Sequence, residues 1–300
     1  MNLLVTGAFA WTPAELNNLQ ANGHSVVFMQ HENAPLPCSA DWVEGIVGNG
    51  IFLHHSIEQF SALRFIQLTS AGYDRVPMDY IHAHRIRICN ARGVYSIPMA
   101  EFALGGVLQL YKRSSFFRQN QAMHIWEKHR SLLELYEKQV CIVGCGSVGN
   151  ECAKRFRAFG CYVTGVDIKP YQSEMYERML SIEHIDDAFA TADIIVLTLP
   201  YSEQTHHLIN AQRLAAMKTG ALIVNIARGA IIDTGALVDA LQAHLGGAVL
   251  DVFDCEPLRE DSPLWEMENV VISPHNSFVG DGNHGRMLEL IMANLRNYAQ

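Results

Sequence analysis

The sequence predicts an α/β protein built from two doubly wound parallel sheets, and three observations carry this prediction. Short apolar segments of strand length alternate with segments of helical periodicity, which is typical of a parallel sheet covered on both faces. A glycine-rich turn at residues 144–149 lies directly between one such strand and one such helix. At 300 residues the chain is longer than one compact domain usually is, so we expect two domains.

The N-terminal third of the chain alternates strands and helices. The predicted strands are Asn2–Thr6, Ser25–Met29, Phe65–Thr69 and Ile86–Cys89, and residues 31–40 are predicted to form a loop. A helix is predicted over Pro13–Ala21, because Thr12 is a suitable N-cap and proline is favoured at the first helical position. Gly23 ends that helix.

The rest of the chain forms a second α/β series after a long helix. Apolar spacing predicts a helix over Met99–Arg118, followed at 119–137 by an extended arm or linking helix that carries Trp126. Further helices are predicted over Asn150–Phe159 and His284–Tyr298. The predicted strands are Gln139–Val143, Tyr162–Val166, Asp193–Thr198, Ala221–Asn225, Gly247–Leu250 and Val270–Ser273.

Composition excludes several classes of function. Lys and Arg number 22 and Asp and Glu 31, a net charge of −9, which argues against a nucleic-acid binder that relies on overall basic charge. No apolar run approaches the roughly 20 residues of a membrane helix, and the N-terminus does not resemble a signal peptide. The seven cysteines fit no disulfide or zinc spacing, so we expect free thiols and a cytoplasmic protein.

The glycine-rich turn has the pattern G-x-G-x-x-G, with Gly144, Gly146 and Gly149 at the glycine positions and Ser147 and Val148 before the last. Between a strand and a helix, this pattern predicts a loop that binds the pyrophosphate of a dinucleotide at the helix N-terminus. Asp167 ends the next strand, where a carboxylate can accept hydrogen bonds from ribose hydroxyls and would repel a 2′-phosphate. The expected cofactor is therefore NAD(H).

Ionisable side chains follow three later strands. Arg228, Glu256 and His275 lie in the segments N-x-x-R-G at 225–229, D-V-F-x-x-E-P at 251–257 and S-P-H at 273–275. In a parallel sheet these strands end at the same edge as the glycine loop, which is where ligands bind in such folds. We therefore expect the three side chains near the nicotinamide end of the cofactor.

Together these motifs make the chain resemble the D-isomer-specific 2-hydroxyacid dehydrogenases, a family that includes D-lactate, glyoxylate and phosphoglycerate dehydrogenases. The N-terminal segments S-A-G-Y-D at 70–74 and Y-S-I-P-M-A-E at 95–101 are also similar to family segments. Formate dehydrogenases of the same superfamily have Gln where this chain has Glu256, which argues against that activity.

The resemblance implies a role for each motif residue. His275 would exchange the proton of the substrate's C2 oxygen, Glu256 would favour protonated His275, and Arg228 would bind the substrate carboxylate. Tyr95 would line the substrate pocket or pack in the core. The backbone N–H groups of Ser70, Ala71 and Gly72 would also bind the carboxylate, and the further cofactor-binding residues would be Pro200, Thr205, Ala227 and Asp251, the last contacting the nicotinamide amide.

The resemblance also implies the arrangement of domains. Residues 1–98 plus 279–300 would form a flavodoxin-like substrate domain, and residues 99–278 a Rossmann cofactor domain inserted into it. The expected protein is a homodimer in contact through the cofactor domain that reduces a small 2-keto acid to a 2-hydroxy acid. The alternative is a non-catalytic NAD(H)-responsive binding protein of the corepressor type, because some relatives with this fold act through protein partners.

Overall fold

A computed structural model of the protein describes residues 1–299, which divide into two compact units. One unit comprises Met1–Tyr95 and the residues from Gly280 onward, and the other comprises Ser96–Val279. The strands are β1 (Asn2–Thr6), β2 (Ser25–Met29), β3 (Gly45–Gly48), β4 (Phe65–Leu68), β5 (Arg87–Cys89), β6 (Gln139–Val143), β7 (Tyr162–Asp167), β8 (Arg178–Ser181), β9 (Ile194–Leu197), β10 (Leu222–Asn225), β11 (Gly247–Leu250) and β12 (Val270–Ile272). The helices are α1 (Pro13–Ala21), α2 (Met78–Ala83), α3 (Ser96–Tyr111), α4 (Ser114–Ala122), α5 (Ser147–Ala158), α6 (Ile185–Thr191), α7 (Ala211–Ala216), α8 (Thr234–Ala243) and α9 (Asn283–Ala299).

The first unit is built on a parallel sheet with the strand order β2-β1-β3-β4-β5. This is the flavodoxin-like order, in which the chain runs outward in both directions from β1 and β3. Leu3 and Val5 of β1 belong to one apolar cluster and Leu4 to another. Because successive strand residues point to opposite faces, the sheet is buried on both sides, as a parallel sheet requires.

The second unit is built on a parallel sheet with the order β12-β11-β10-β9-β6-β7-β8. Counted from β6 as the first strand, this is the Rossmann order with one additional strand. Cys141 and Val143 of β6 face one apolar cluster, and Val140 and Ile142 face the other. The predicted fold class, two doubly wound parallel sheets, is confirmed.

Every strand predicted from apolar runs is present, with bounds within one residue of the prediction. Two strands were missed, and β3 shows why, since its sequence Gly-Ile-Val-Gly is half glycine. Helix α5 begins at Ser147 and not at the predicted Asn150, because the last residues of the glycine motif already form its first turn. None of the helices in residues 1–299 is long and apolar enough to cross a membrane.

The predicted helix Met99–Arg118 is wrong as a single helix. The chain forms α3, then breaks at Lys112 and Arg113, and resumes as α4. Arg113 has a φ of +51°, a left-handed conformation that no helix continues through. The break is held from outside, since the Leu133 N–H donates to the Tyr111 carbonyl at 3.1 Å and Lys112 Nζ donates to the Leu133 carbonyl at 2.7 Å. The spacing of apolar residues contains no information about these contacts, so it did not predict the break.

Candidate active site

The glycine loop follows β6, and two of its glycines are required by the packing around it. Gly144 has a φ of +93°, and a Cβ there would lie 2.7 Å from the backbone nitrogen of Leu199. A Cβ on Gly149 would lie 2.3 Å from the carbonyl oxygen of Gly144. Any other residue at either position would push the strand, the loop and α5 apart.

Gly146 is different, because a Cβ there would project into open space. It is the N-cap residue of α5, so it stands where the first N–H groups of that helix lack intrahelical acceptors. The open space and the unpaired donors fit an anionic group such as a pyrophosphate. Ser147 and Val148 form the first turn of this helix and therefore lie at the same place, as predicted from the motif.

Asp167 ends β7, directly beside the glycine loop. One of its carboxylate oxygens accepts from the Cys145 N–H at 2.8 Å, and the other accepts from the Lys169 N–H at 3.0 Å. The carboxylate is thus oriented by two backbone donors while each oxygen keeps a further lone pair. This arrangement suits a residue that accepts hydrogen bonds from ribose hydroxyls.

The loop after β9 carries Pro200 and Thr205 and is tied to the glycine loop. Thr198 Oγ1 donates to the Gly144 carbonyl at 2.6 Å. Thr205 Oγ1 donates to the Pro200 carbonyl at 3.0 Å and accepts from the Ser202 N–H at 2.7 Å. The two predicted cofactor-binding residues therefore close one compact loop at the edge where the glycine loop lies.

Arg228 follows β10 and is positioned by a buried asparagine. Asn225 accepts from the Ala227 N–H at 3.1 Å and donates to the Arg228 carbonyl at 3.0 Å, which closes the turn between them. The exposed Arg228 side chain donates from Nη1 to the Ala227 carbonyl at 2.7 Å. A Cβ on Gly229 would lie 1.8 Å from the carbonyl carbon of Phe253, so this turn lies directly against the loop that follows β11.

Glu256 and His275 form a hydrogen-bonded pair. Oε2 of Glu256 lies 2.9 Å from Nδ1 of His275, and the imidazole is 44% exposed. With Nδ1 held by the carboxylate, Nε2 remains as the ring nitrogen that can exchange a proton with a ligand. The Phe278 ring lies nearly perpendicular to the imidazole, with ring centroids 6.2 Å apart. Orientation by a carboxylate and partial exposure are what a general acid or base needs.

Asp251 lies under this pair and is fully buried. Its carboxylate accepts from the Asn276 N–H at 2.7 Å, from the Ser277 N–H at 3.0 Å and from the Ser273 hydroxyl. The backbone carbonyl of Asp251 accepts from the His275 backbone N–H at 2.8 Å. Every one of these donors belongs to the turn that carries His275, so Asp251 holds this turn. The contact with the nicotinamide amide implied by the resemblance stays a prediction.

The predicted substrate loop at 70–72 belongs to the other unit, where it follows β4. The carbonyl groups of Thr69, Ser70 and Ala71 are bound by residues 90–95. Asn90 Nδ2 donates to the Ala71 carbonyl at 2.6 Å, the Ala91 N–H donates to the Ser70 carbonyl at 2.8 Å, and the Tyr95 hydroxyl donates to the Thr69 carbonyl. Because the N–H and C=O of a trans peptide point in opposite directions, the N–H groups of Ser70, Ala71 and Gly72 face away from residues 90–95.

Three residues with positioning contacts were missed by the sequence reasoning: Asn90, Asn225 and Tyr171. Asn225 lies within the motif N-x-x-R-G, and its position two residues before the Ala227 N–H is the local signal of an Asx turn. Asn90 contacts a loop 19 residues away in sequence, and Tyr171 contacts one 26 residues away, so no local sequence pattern predicts these contacts.

The chain is similar in sequence to known enzymes. Residues 104–277 match the family model described as D-isomer specific 2-hydroxyacid dehydrogenase, NAD binding domain. A glyoxylate reductase of Korarchaeum cryptofilum is 30% identical over 241 residues, which cover 78% of this chain and 72% of that protein. A D-3-phosphoglycerate dehydrogenase of Mycobacterium tuberculosis is 37% identical over 217 residues, or 71% of this chain but 40% of that longer protein.

A solved structure has a similar fold over nearly the whole length of this chain. The crystal structure of a glyoxylate reductase from Paecilomyes thermophila matches with a TM-score of 0.83 and 25% identity, covering 99% of this chain and 94% of that one. The family model spans more than half of the chain, including the glycine loop, Asp167, Arg228 and the Glu256–His275 pair. The chain therefore belongs to the D-isomer specific 2-hydroxyacid dehydrogenase family and is an NAD-dependent enzyme of that class.

Proposed function

We propose that this enzyme reduces a small 2-keto acid to the D-2-hydroxy acid with NADH. The observation that carries the proposal is the Glu256–His275 pair, 2.9 Å apart, at the edge of the sheet that also carries the glycine loop. A proton donor at the same sheet edge as a dinucleotide loop is the combination that carbonyl reduction requires. The relative named glyoxylate reductase supports the reductive direction and a small acid.

The side chains divide the chemistry between them. NADH, when bound, supplies the hydride. Nε2 of protonated His275 donates the proton to the C2 oxygen, while Glu256 stabilises the imidazolium through Nδ1. Arg228 binds the substrate carboxylate and polarises the carbonyl with its planar set of N–H donors. Hydrogen bonds from Asn225 fix the turn before Arg228, so this side chain starts from a defined backbone.

Cofactor and substrate are assigned to different segments of the chain. We assign cofactor binding to residues 99–278, with Asp167 as the ribose acceptor, and substrate binding to residues 1–98 with 279–300. The two compact units support these bounds, since the chain passes from one to the other at Tyr95 and Ser96 and again at Val279 and Gly280. The N–H groups of Ser70, Ala71 and Gly72 are proposed as further donors to the carboxylate.

The proposal is tested with purified protein, NADH and a panel of 2-keto acids comprising glyoxylate, hydroxypyruvate, pyruvate and 2-ketoisocaproate. We expect loss of NADH absorbance with at least one acid, fastest with the smallest, and a product of D configuration where C2 is chiral. If NADH binds but is not oxidised with any acid, the reductase proposal fails and the non-catalytic NAD(H)-responsive alternative is favoured.

We also propose that the enzyme is a homodimer that uses the arm at residues 119–137. The arm exposes a group of large apolar side chains, led by Trp126, which is 99% exposed: Met123, Ile125, Trp126, Leu132, Leu133 and Tyr136. A concentration of exposed large apolar side chains in one segment supports an interface there. Light scattering should give twice the mass of the chain, and Trp126→Glu should lower the measured mass. A monomeric wild-type protein would contradict the proposal.

A cytoplasmic location is proposed from the seven free cysteines.

A further inference from the structure

The glycine loop is contacted by a tyrosine from outside its motif. Tyr171 lies four residues beyond Asp167, and its ring is 39% exposed. Its hydroxyl lies 2.7 Å from the carbonyl oxygen of Cys145 and 2.8 Å from Oδ1 of Asn150 on α5. Cys145 is the residue between the first two glycines, so the phenol reaches the part of the loop that approaches a pyrophosphate most closely.

The two peptide groups around Cys145 are held by one segment of the chain. Asp167 accepts from the Cys145 N–H at 2.8 Å, which orients the peptide between Gly144 and Cys145. The hydroxyl of Tyr171 donates to the Cys145 carbonyl, which orients the next peptide. Since the N–H and C=O of a peptide point in opposite directions, the Gly146 N–H is directed away from the phenol.

We propose that Tyr171 is a positioning residue for the pyrophosphate of the cofactor, acting by orienting the Cys145–Gly146 peptide. Gly146 has no side chain to restrict its backbone, and the space beside it is open, so the hydrogen bond from Tyr171 is a contact that opposes rotation of this peptide. The inference rests on the proposed role of the glycine loop in binding the pyrophosphate.

Tyr171 is itself held in place. Oδ1 of Asn150 also lies 2.8 Å from the hydroxyl of the buried Tyr176, so both phenols converge on one amide at the start of α5. Asn150 is in turn part of the helix, since its N–H donates to the Gly146 carbonyl at 2.9 Å. The phenol has one proton, so donating it to the Cys145 carbonyl leaves the hydroxyl beside Oδ1 of Asn150 without a second full hydrogen bond, at the point where α5 begins next to the loop.

The experiment measures the affinity of wild type and Tyr171→Phe for NADH, ADP and adenosine by calorimetry. Tyr171→Phe removes one hydroxyl and keeps the ring. Loss of one hydrogen bond that preorganises the loop should weaken NADH and ADP about five-fold. Adenosine lacks phosphate, so its affinity should not change. Tyr162→Phe, at the opposite end of β7, is the matched control and should leave all three affinities as in wild type.

Two results would overturn the inference: unchanged NADH and ADP affinity in Tyr171→Phe, or an equal loss for adenosine. An equal loss for adenosine would mean that the hydroxyl acts on the nucleoside site and not on the pyrophosphate loop. If wild type binds ADP no better than adenosine, the proposed role of the glycine loop fails instead. The ratio of ADP to adenosine affinity decides even if Tyr171→Phe lowers stability, because a distorted nucleotide site would weaken both.

Discussion

Replacing Asp251 by Asn tests how the turn that carries His275 is built. His275 has a φ of +51°, a left-handed conformation that costs a residue with a side chain roughly 1–2 kcal/mol. The buried Asp251 carboxylate offsets this cost by accepting from Ser273, Asn276 and Ser277. An Asn side chain keeps the shape but loses the charge and turns an NH₂ group toward one of these donors. One charge-assisted hydrogen bond and one satisfied buried N–H are lost, about 2–4 kcal/mol of the free energy of unfolding.

The assay is urea unfolding of wild type and Asp251→Asn, together with kcat for the preferred keto acid and the dissociation constant for NADH. We expect the loss of unfolding free energy given above and a kcat reduced about 100-fold, because a small displacement of a proton donor has an effect of that order. Asp254→Asn, in the exposed part of the same loop, should change the free energy of unfolding by no more than about 0.5 kcal/mol.

A stable Asp251→Asn protein would refute this reasoning. If its urea midpoint equals that of wild type while NADH binding weakens ten-fold or more, Asp251 acts on the nicotinamide amide and does not hold the turn.

Three further predictions concern close packing, burial and hydrogen bonding within the individual units. Gly229→Ala places a Cβ 1.8 Å from a backbone carbon of the neighbouring loop and should lower the free energy of unfolding, measured in urea, by about 3 kcal/mol. The control Gly235→Ala, whose Cβ would have 3.5 Å of space, should not lower it. Equal urea midpoints for the two variants would contradict the close contact at Gly229. Burial raises the pKa of Cys145 to about 11, so at pH 8 this thiol should react slowly with Ellman's reagent, whereas the exposed Cys255 should react rapidly, and Cys255→Ser should remove one thiol from the fast phase. Asn90→Asp still accepts from the Arg92 N–H but cannot donate to the Ala71 carbonyl in the loop after β4. KM for the keto acid should therefore rise about ten-fold, while the affinity for NADH stays unchanged. An unchanged KM would exclude a role of Asn90 in orienting this loop.

The fold was largely predictable because its strands are buried on both faces. A strand such as β9, Ile-Ile-Val-Leu, is apolar at every position, and such runs are visible without any tertiary information. The strand β3 was not visible because two of its four residues are glycines, and at Gly45 the Leu3 side chain occupies the space that a Cβ would need. The break between α3 and α4 was also not visible, because it depends on contacts from Leu133, some 20 residues further along the chain.

The candidate site was predictable where a motif combines backbone geometry with chemistry. Gly144 and Gly149 are required by close packing, and His275 and Glu256 lie in short recurring segments, so each carries a local signal. Two residues that orient backbone groups at the site, Tyr171 and Asn90, carry no such signal. Tyr171 and Asn90 act through hydrogen bonds to distant carbonyl groups, and such bonds depend on where loops meet in the folded chain.

The central claim is that His275 supplies the proton for reduction of a 2-keto acid, and one comparison tests it most directly. In His275→Gln the side chain can still form a hydrogen bond but has no proton to transfer near neutral pH. We predict that kcat for the preferred keto acid falls by at least about 100-fold while the dissociation constant for NADH stays within two-fold of wild type. A kcat within three-fold of wild type, or an equal loss of turnover and NADH binding, would contradict the account.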